Sequence, residues 1–198
     1  LSYRERLVKS KVALQVAAKE LKAHTDQSVH KTVVESSDAH IRLFQASIRQ
    51  LDKQLEQLIS SDESLLNLYS LITSVKGIGS QIAAYMLVYT HGFTNFANWR
   101  KFSCYCGLAP FEYRSGTSIR GKTKVSYLGN RKLKALIGNG ASSAIQHDQE
   151  LANYYRRKLK EGKHKMLVQN AIKNKLISRA FAVVKRGTPF VELYKHAA

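Results

Sequence analysis

Two apolar strips at helical spacing most strongly constrain what the first third of this chain can fold into. The stronger strip recurs every three or four residues over Ile41, Phe44, Ile48, Leu51, Leu55 and Leu58. An earlier strip with the same spacing comprises Tyr3, Leu7, Ser10, Leu14, Ala17 and Leu21. Seams of this kind are typical of helices packed side by side, as in coiled coils. The polar stretch from His24 to Ser37 carries breaker and capping signals, so the sequence predicts an antiparallel coiled-coil helical arm over residues 1–62.

This arm has two possible partners. It can pack on the body of its own chain, or it can pair with the arm of another copy. Two short heptad strips bury little apolar surface by themselves, and isolated short helices are marginal in water. That favours an oligomerisation arm, with a dimer or a tetramer as the expected assembly.

Residues 63–198 predict a compact, mainly α-helical domain. Two apolar helices at about 64–90 flank the sequence Lys76-Gly77-Ile78-Gly79-Ser80. This pattern is typical of a helix-hairpin-helix, in which glycine permits a tight turn and the second helix presents free N–H groups to a phosphate. A plain helix–helix turn is the alternative.

The charge of the chain is large and unevenly distributed. Its formal net charge is +18, and nine of its 14 acidic residues lie within the first 63 positions. A strongly basic body predicts nucleic acid as a partner. Residues 64–147 contain a single carboxylate, Glu112, which argues against a complete two-metal site in this chain because such sites need several carboxylates.

The segment at about 107–134 combines a serine, a glycine and many cations. It reads Gly107-Leu108-Ala109-Pro110, then Ser115-Gly116-Thr117-Ser118, then Gly129-Asn130-Arg131-Lys132-Leu133. Glycines at 116 and 121 predict a loop or short irregular hairpin. A helix follows, capped by Asn130 or Ser126, and a helical pair over 148–186 is broken at Glu161-Gly162-Lys163.

The remaining composition bears on compartment and completeness. The two cysteines, Cys104 and Cys106, lack the second pair that a zinc finger needs, which favours buried thiols in a reduced cytoplasm. No apolar run is long enough to span a membrane, and no signal peptide is present. The chain begins at Leu1 rather than Met, so we interpret it as a fragment of a longer protein.

In their order, these motifs resemble those in the C-terminal part of the insertion-sequence 110/116/902 family of transposases. The set consists of Gly-Ile-Gly, Gly-Leu-Ala-Pro, Ser-Gly-x-Ser, Gly-Asn-Arg-x-Leu and a late Tyr…Gly-Lys segment. The resemblance covers nearly the whole chain, to about Gly187. One departure is Lys76, which stands where a helix-hairpin-helix often has proline.

The resemblance implies a bacterial, RNA-guided DNA recombinase with two catalytic parts. One is an N-terminal ribonuclease-H-like domain, whose four acids bind a divalent metal (Mg²⁺) and which we expect to be missing here. The other is the C-terminal part, in which Ser115 forms a covalent link to a DNA phosphate. No cofactor is expected within this fragment, which should be inactive alone. A structured guide RNA and a homo-oligomer built through the helical arm are the implied partners. The competing interpretation is a non-catalytic DNA- or RNA-binding module with a dimerisation arm.

The candidate site residues follow from these motifs and the resemblance. Ser115 is the expected nucleophile, and Ser118 is the alternative. The residues expected to contact DNA are mostly cations and turn residues: Lys76, Gly77, Ile78, Gly79, Ser80, Arg114, Thr117, Arg120, Lys122, Lys124, Asn130, Arg131, Lys132, Lys163 and Lys165.

Overall fold

A computed structural model describes residues 1–21, 26–111, 114–115, 119–121, 124–125 and 127–192. For residues 114, 115, 119, 120 and 124 it describes the backbone alone. The chain divides into two compact units, Leu1–Asp62 and Glu63–Ala198. The predicted mainly α-helical class is confirmed, because eight helices account for most of the described residues.

The first unit consists of two helices, α1 (Ser2–Leu21) and α2 (Gln27–Ser60). Arg4, at the start of α1, donates Nε and Nη2 to the Asp52 carboxylate, near the end of α2, at 2.5 and 3.0 Å. A bidentate pair between the start of one helix and the end of the next requires the helices to run antiparallel. Ile41 and Ile48 of the predicted strip are buried, whereas Tyr3 and Leu58 at the strip ends are exposed.

The predicted polar break before α2 is wrong in extent. Helix α2 already begins at Gln27 and continues through the expected breaker Ser36-Ser37-Asp38. Ser37 is buried, one turn before Ile41, and extends the packed face toward the N-terminus of the helix. A small buried serine at a seam position keeps the helical period, so the polar composition of this stretch reflects its solvent face rather than a loop.

The second unit packs its helices around α8. Its helices are α3 (Glu63–Thr73), α4 (Ser80–Thr90), α5 (Trp99–Tyr105), α6 (Arg131–His147), α7 (Gln149–Lys160) and α8 (Lys165–Arg186). Helix α8 contacts α3, α5, α6 and α7. Its buried face comprises Val168, Ile172, Leu176, Ile177, Ala180 and Val183. Full burial of such side chains contributes roughly 1.5–3 kcal/mol each, so α8 organises the core of this unit.

Two local predictions for this unit are confirmed. Asn130 caps α6, accepting a hydrogen bond from the Leu133 N–H at 3.0 Å. The helical pair breaks where expected, since α7 ends at Lys160 and Gly162 adopts a φ of +76° before α8. At the start of α7, Asp148 is buried, accepts from the Leu151 N–H at 2.9 Å and pairs with Arg179 at 2.6 Å. Among the helices of the described ranges, none is long and apolar enough to cross a bilayer.

Four two-residue strands connect α5 to α6. They are β1 (Pro110–Phe111), β2 (Arg114–Ser115), β3 (Ile119–Arg120) and β4 (Lys124–Val125). β1 pairs antiparallel with β4, and β2 pairs antiparallel with β3. In sequence, the β1–β4 pair encloses the β2–β3 pair, and we call residues 110–125 the serine hairpin.

Candidate nucleic-acid interface

The predicted helix-hairpin-helix segment forms two packed helices joined by a short turn. α3 ends at Thr73 and α4 begins at Ser80. We call residues 74–79 the Gly-Ile-Gly turn. Within it the Ile78 N–H donates to the Val75 carbonyl at 2.9 Å, and both side chains are buried. These contacts fix the angle at which the chain enters α4.

The two glycines of this turn have different structural roles. Gly77 adopts a φ of +93°, and a Cβ there would lie 2.6 Å from the Gly140 carbonyl oxygen and 2.7 Å from the Ala144 Cβ. Gly140 is constrained in return, since a Cβ on it would lie 2.6 Å from the Gly77 carbonyl oxygen. Gly79 has a φ of −83° and open space around it. Backbone contact between the turn and α6 therefore requires glycine at 77 and at 140, while Gly79 is free of this constraint.

The solvent side of the turn exposes the start of α4. Gly79 is the N-cap of α4 and provides no side-chain capping bond, and Gly79 and Ser80 are both exposed. A groove of about 580 Å³ opens here between the turn and residues Leu136, Asn139, Gly140 and Ser143 of α6. Helix starts carry partial positive charge and unpaired N–H groups, so this end of α4 is chemically suited to an anion.

A C-terminal segment lies against the same turn. We call residues 188–192 the C-terminal strap. The Phe190 N–H donates to Ser74 Oγ at 2.8 Å, and the Glu192 carboxylate forms an ion pair with the Lys76 ammonium. The Arg179 guanidinium stacks 4.6 Å from the centroid of the Phe190 ring. Lys76, expected from the sequence to be available to phosphate, therefore already has a carboxylate partner.

The serine hairpin carries Ser115 at the end of β2. Ser115 lies opposite Ile119, and Arg114 lies opposite Arg120. The intervening residues 116–118 include the candidates Thr117 and Ser118 and lie outside the described residues, as does Lys122. Phe111 and Val125, on the outer strand pair, are 51% and 38% exposed. The described apolar side chains of this hairpin are thus directed to solvent rather than packed in the helical core.

The base of the serine hairpin is held tightly on the helical unit. A Cβ on Gly129 would lie 2.3 Å from the Gly107 Cα, so the two ends of the segment meet backbone to backbone. The Asn130 N–H donates to the Tyr105 carbonyl at 2.8 Å. Asn170 of α8 donates its Nδ2 to the Leu108 carbonyl, also at 2.8 Å. Both ends of the hairpin are therefore anchored, the later end to Tyr105 at the end of α5 and the earlier end to α8.

Helix α6 connects the two candidate sites. Asn130 caps its start, beside the hairpin base, and Gly140 contacts the Gly-Ile-Gly turn ten residues later. At 1.5 Å per residue, ten helical residues span about 15 Å. Arg131 is exposed at the first turn, and the Lys132 ammonium lies 5.4 Å from the centroid of the Tyr85 ring. Elements far apart in sequence thus converge on one helix.

The remaining predicted cations, Lys163 and Lys165, lie at the turn between α7 and α8. Both are exposed. The neighbouring Glu161 is bound by Lys158 at 2.6 Å, and that hydrogen bond lowers the pKa of the Glu161 carboxyl. Among the described residues, no contact joins Lys163 or Lys165 to the serine hairpin or to the Gly-Ile-Gly turn.

Two lysines that were absent from the predicted site come together on α6 and α8. The Lys173 Nζ lies 3.4 Å from the position that a Cβ would take on Gly138. Burial, together with the charge of Lys134, lowers the pKa of Lys173. The two lysines are 39 positions apart in the sequence, and only the helix packing brings them together.

Cysteine and metal chemistry are not features of the described site. Cys106 is buried, and burial raises the pKa of its thiol to about 12, so it remains a neutral thiol. Across the described ranges, no three His, Cys, Asp or Glu residues are grouped closely enough to hold a metal ion.

These features define a mainly α-helical protein with a basic second unit, a class suited to polyanion binding. Residues 69–156 match the family described as Transposase IS116/IS110/IS902. The match includes the Gly-Ile-Gly turn, the serine hairpin and α6. The chain belongs to this transposase family and corresponds to its C-terminal region.

Individual relatives agree with this assignment. The chain is 30% identical over 178 residues to the pilin gene-inverting proteins of Moraxella bovis and Moraxella lacunata, which covers 86% of this chain and 53% of each relative. It is 30% identical over 156 residues to an uncharacterized 43.6 kDa protein of insertion element IS110 in Streptomyces coelicolor, covering 79% of this chain and 37% of that protein. The chain spans about half the length of the Moraxella relatives, or less in the Streptomyces case.

Proposed function

We propose that this chain is the strand-joining part of a site-specific DNA recombinase and that Ser115 is its nucleophile. The observation that carries the proposal is the position of Ser115 at the end of β2, on a hairpin with exposed sides and an anchored base. A large duplex can reach a residue on such an element, while the anchored base holds the residue in place. The Moraxella relatives are named for inverting a gene, and inversion requires that DNA strands be cut and rejoined.

The proposed reaction is a transesterification at a DNA phosphate. The Ser115 Oγ–phosphorus bond forms as the bond from phosphorus to one deoxyribose oxygen breaks. The serine loses its proton to a base, and the leaving deoxyribose oxygen gains one. Negative charge grows on the non-bridging oxygens. Four cations that are close to Ser115 in sequence, Arg114, Arg120, Lys122 and Lys124, would offset it.

The base and the metal are proposed to lie outside this chain. The described residues lack a carboxylate cluster, so they do not suit the divalent ion that the family resemblance implies. We place that ion and the base for the serine proton on an acid-rich domain of the complete protein. A guide RNA, and assembly through the helical arm, complete the proposal for the whole protein.

Sequence-independent DNA contact is proposed for the Gly-Ile-Gly turn. The open start of α4 offers N–H groups to a phosphate, and the exposed Gly79 allows close approach of a DNA strand. The cations of α6 and of the α7–α8 turn would extend that contact.

The test compares Ser115→Ala with Ser118→Ala in the complete protein. We expect Ser115→Ala to abolish both recombination and the covalent protein–DNA adduct seen after denaturation, with DNA affinity retained. Ser118→Ala is the matched control, since it removes a hydroxyl three residues away in the same segment. It should retain recombination and the covalent adduct, because Ser118 is not the proposed nucleophile. Persistence of adducts in Ser115→Ala would overturn the assignment and favour a non-catalytic DNA-binding module.

A further inference from the structure

Lys134 of α6 and Lys173 of α8 form a pair of like charges on facing helices. The Lys173 side chain lies across Gly138, with Cε and Nζ both 3.4 Å from the site of a Cβ on that residue. Gly138 is one helical turn after Lys134, on the same side of α6. Lys134 and the end of Lys173 are therefore associated with the same side of α6.

The pair lacks a carboxylate partner among the described residues. Most of the acids in the second unit are bound elsewhere: Asp148 and Glu150 by Arg179, Glu161 by Lys158, and Glu192 by Lys76. Both lysines are partly buried. Holding two partly desolvated cations together opposes folding, which makes this arrangement expensive unless an anion joins them.

The two lysines lie close to the residues that anchor the serine hairpin. Lys134 follows by one turn Asn130, which anchors the end of the hairpin to the Tyr105 carbonyl. Lys173 follows by one turn Asn170, which anchors the beginning of the hairpin through the Leu108 carbonyl. Each lysine thus lies one helical turn from one of the two points at which the hairpin joins the helical unit.

The end of the Lys173 side chain lies over Gly138 of α6. Glycine inside a helix is less favourable than alanine by roughly 1 kcal/mol. A Cβ at 138 would meet only the flexible end of Lys173. The end of Lys173 therefore lies against α6, on the side of the helix that also carries Lys134.

We propose that Lys134 and Lys173 bind one phosphodiester of the DNA backbone at the base of the serine hairpin. Two ammonium groups can each donate to a non-bridging oxygen of the same phosphate, and its negative charge relieves their repulsion. The inference rests on the proposed function, since it takes DNA as the ligand. It adds a site that would fix the DNA strand relative to Ser115 without taking part in the chemistry.

The experiment measures how salt affects binding of the whole chain to a fluorescein-labelled DNA duplex. Lys134→Met and Lys173→Met are compared with Lys101→Met, which removes the same charge from an exposed position on α5. Each lost phosphate contact lowers the slope of log affinity against log salt by about 0.9, which corresponds to about fivefold weaker binding at 0.15 M salt. We expect that loss for Lys134→Met and Lys173→Met and a smaller one for Lys101→Met. The fluorescence of Trp99, the single tryptophan of the chain, verifies that each variant remains folded.

The other outcomes distinguish failure of the proposed DNA binding from failure of the Lys134–Lys173 site. A wild-type chain that binds no duplex at low salt overturns the proposed DNA binding, and this site with it. If the wild-type chain binds the duplex, but Lys134→Met and Lys173→Met have the same affinity and salt dependence as Lys101→Met, this site alone is overturned. If Lys134→Met and Lys173→Met weaken binding to a labelled RNA hairpin but leave duplex DNA binding unchanged, the assignment of the site to DNA is overturned.

Discussion

The contact between Gly77 and α6 leads to the strongest prediction on stability. In Gly77→Ala, the new Cβ would lie 2.6 Å from the Gly140 carbonyl oxygen and 2.7 Å from the Ala144 Cβ. Both neighbours belong to a helix and cannot move aside as a flexible side chain can. The backbone at 77 is also left-handed, with a φ of +93°, which disfavours any residue with a Cβ.

The magnitude follows from three contributions. The left-handed conformation costs about 1–2 kcal/mol, and overpacking costs about 1–3 kcal/mol. Reduced freedom of the unfolded chain returns about 0.4–1 kcal/mol. We therefore expect Gly77→Ala to lower the free energy of unfolding by about 3 kcal/mol, and the melting temperature of the second unit by roughly 10 °C.

Gly79→Ala is the matched control, two residues away in the same turn. A Cβ there would meet no heavy atom within 4 Å, and its φ of −83° is accessible to alanine. Only a weaker N-cap remains as a penalty, below about 1 kcal/mol. The assay is urea unfolding followed by Trp99 fluorescence, which reports on the second unit because Trp99 lies in α5. Equal destabilisation by the two substitutions would refute the packing argument.

Three further outcomes are expected. Lys173→Met should raise the free energy of unfolding at pH 7 by about 0.5 kcal/mol, because it removes a partly buried charge and its repulsion with Lys134. Since the folded pKa of Lys173 lies below its ordinary 10.5, the stability of the wild type should rise toward that of the variant as the pH increases to 10.5, and parallel pH curves in urea titrations would contradict this. Glu192→Gln should free Lys76 from its ion pair and strengthen duplex binding by up to about fivefold, since an exposed ion pair contributes about 0.2–1 kcal/mol. Fluorescence anisotropy measures the affinity. Weaker binding by the variant would contradict this and show that the C-terminal strap supports the site. In the folded chain at pH 8.5, iodoacetamide should modify the partly exposed Cys104 and spare Cys106, whose burial raises its pKa to about 12; mass spectrometry showing equal labelling would contradict this.

Local sequence signals predicted the helix ends well where the signal and the structure involve the same few residues. The Asn130 cap and the break at Gly162 depend on side chains or backbone angles within one turn. The start of α2 was mistaken because the polar residues between 27 and 37 lie mostly on its solvent face. Composition there indicated a loop, although the period of the packed face continued through Ser37.

The candidate site was predictable only in part, because much of it depends on contacts between distant residues. The Gly-Ile-Gly motif indicated a turn, but the need for glycine at 77 comes from Gly140, 63 positions later. The pairing of Lys76 with Glu192 spans most of the second unit. The sequence around Lys134 or Lys173 does not indicate that the two lysines lie near each other. The charge imbalance predicted that cations would remain without acids, but only the packing of α6 against α8 shows where two of them meet.

The most direct test of the central claim is to identify the residue that becomes joined to DNA. Adducts of the complete protein with a DNA substrate are trapped by denaturation, treated with nuclease and digested with trypsin. Cleavage after Arg114 and Arg120 yields a peptide that contains both Ser115 and Ser118, and fragment ions in tandem mass spectrometry separate the two. We predict a nucleotide remnant on Ser115. A remnant on Ser118 or outside residues 115–120, or no covalent adduct during active recombination, would contradict the assignment of Ser115 as the nucleophile.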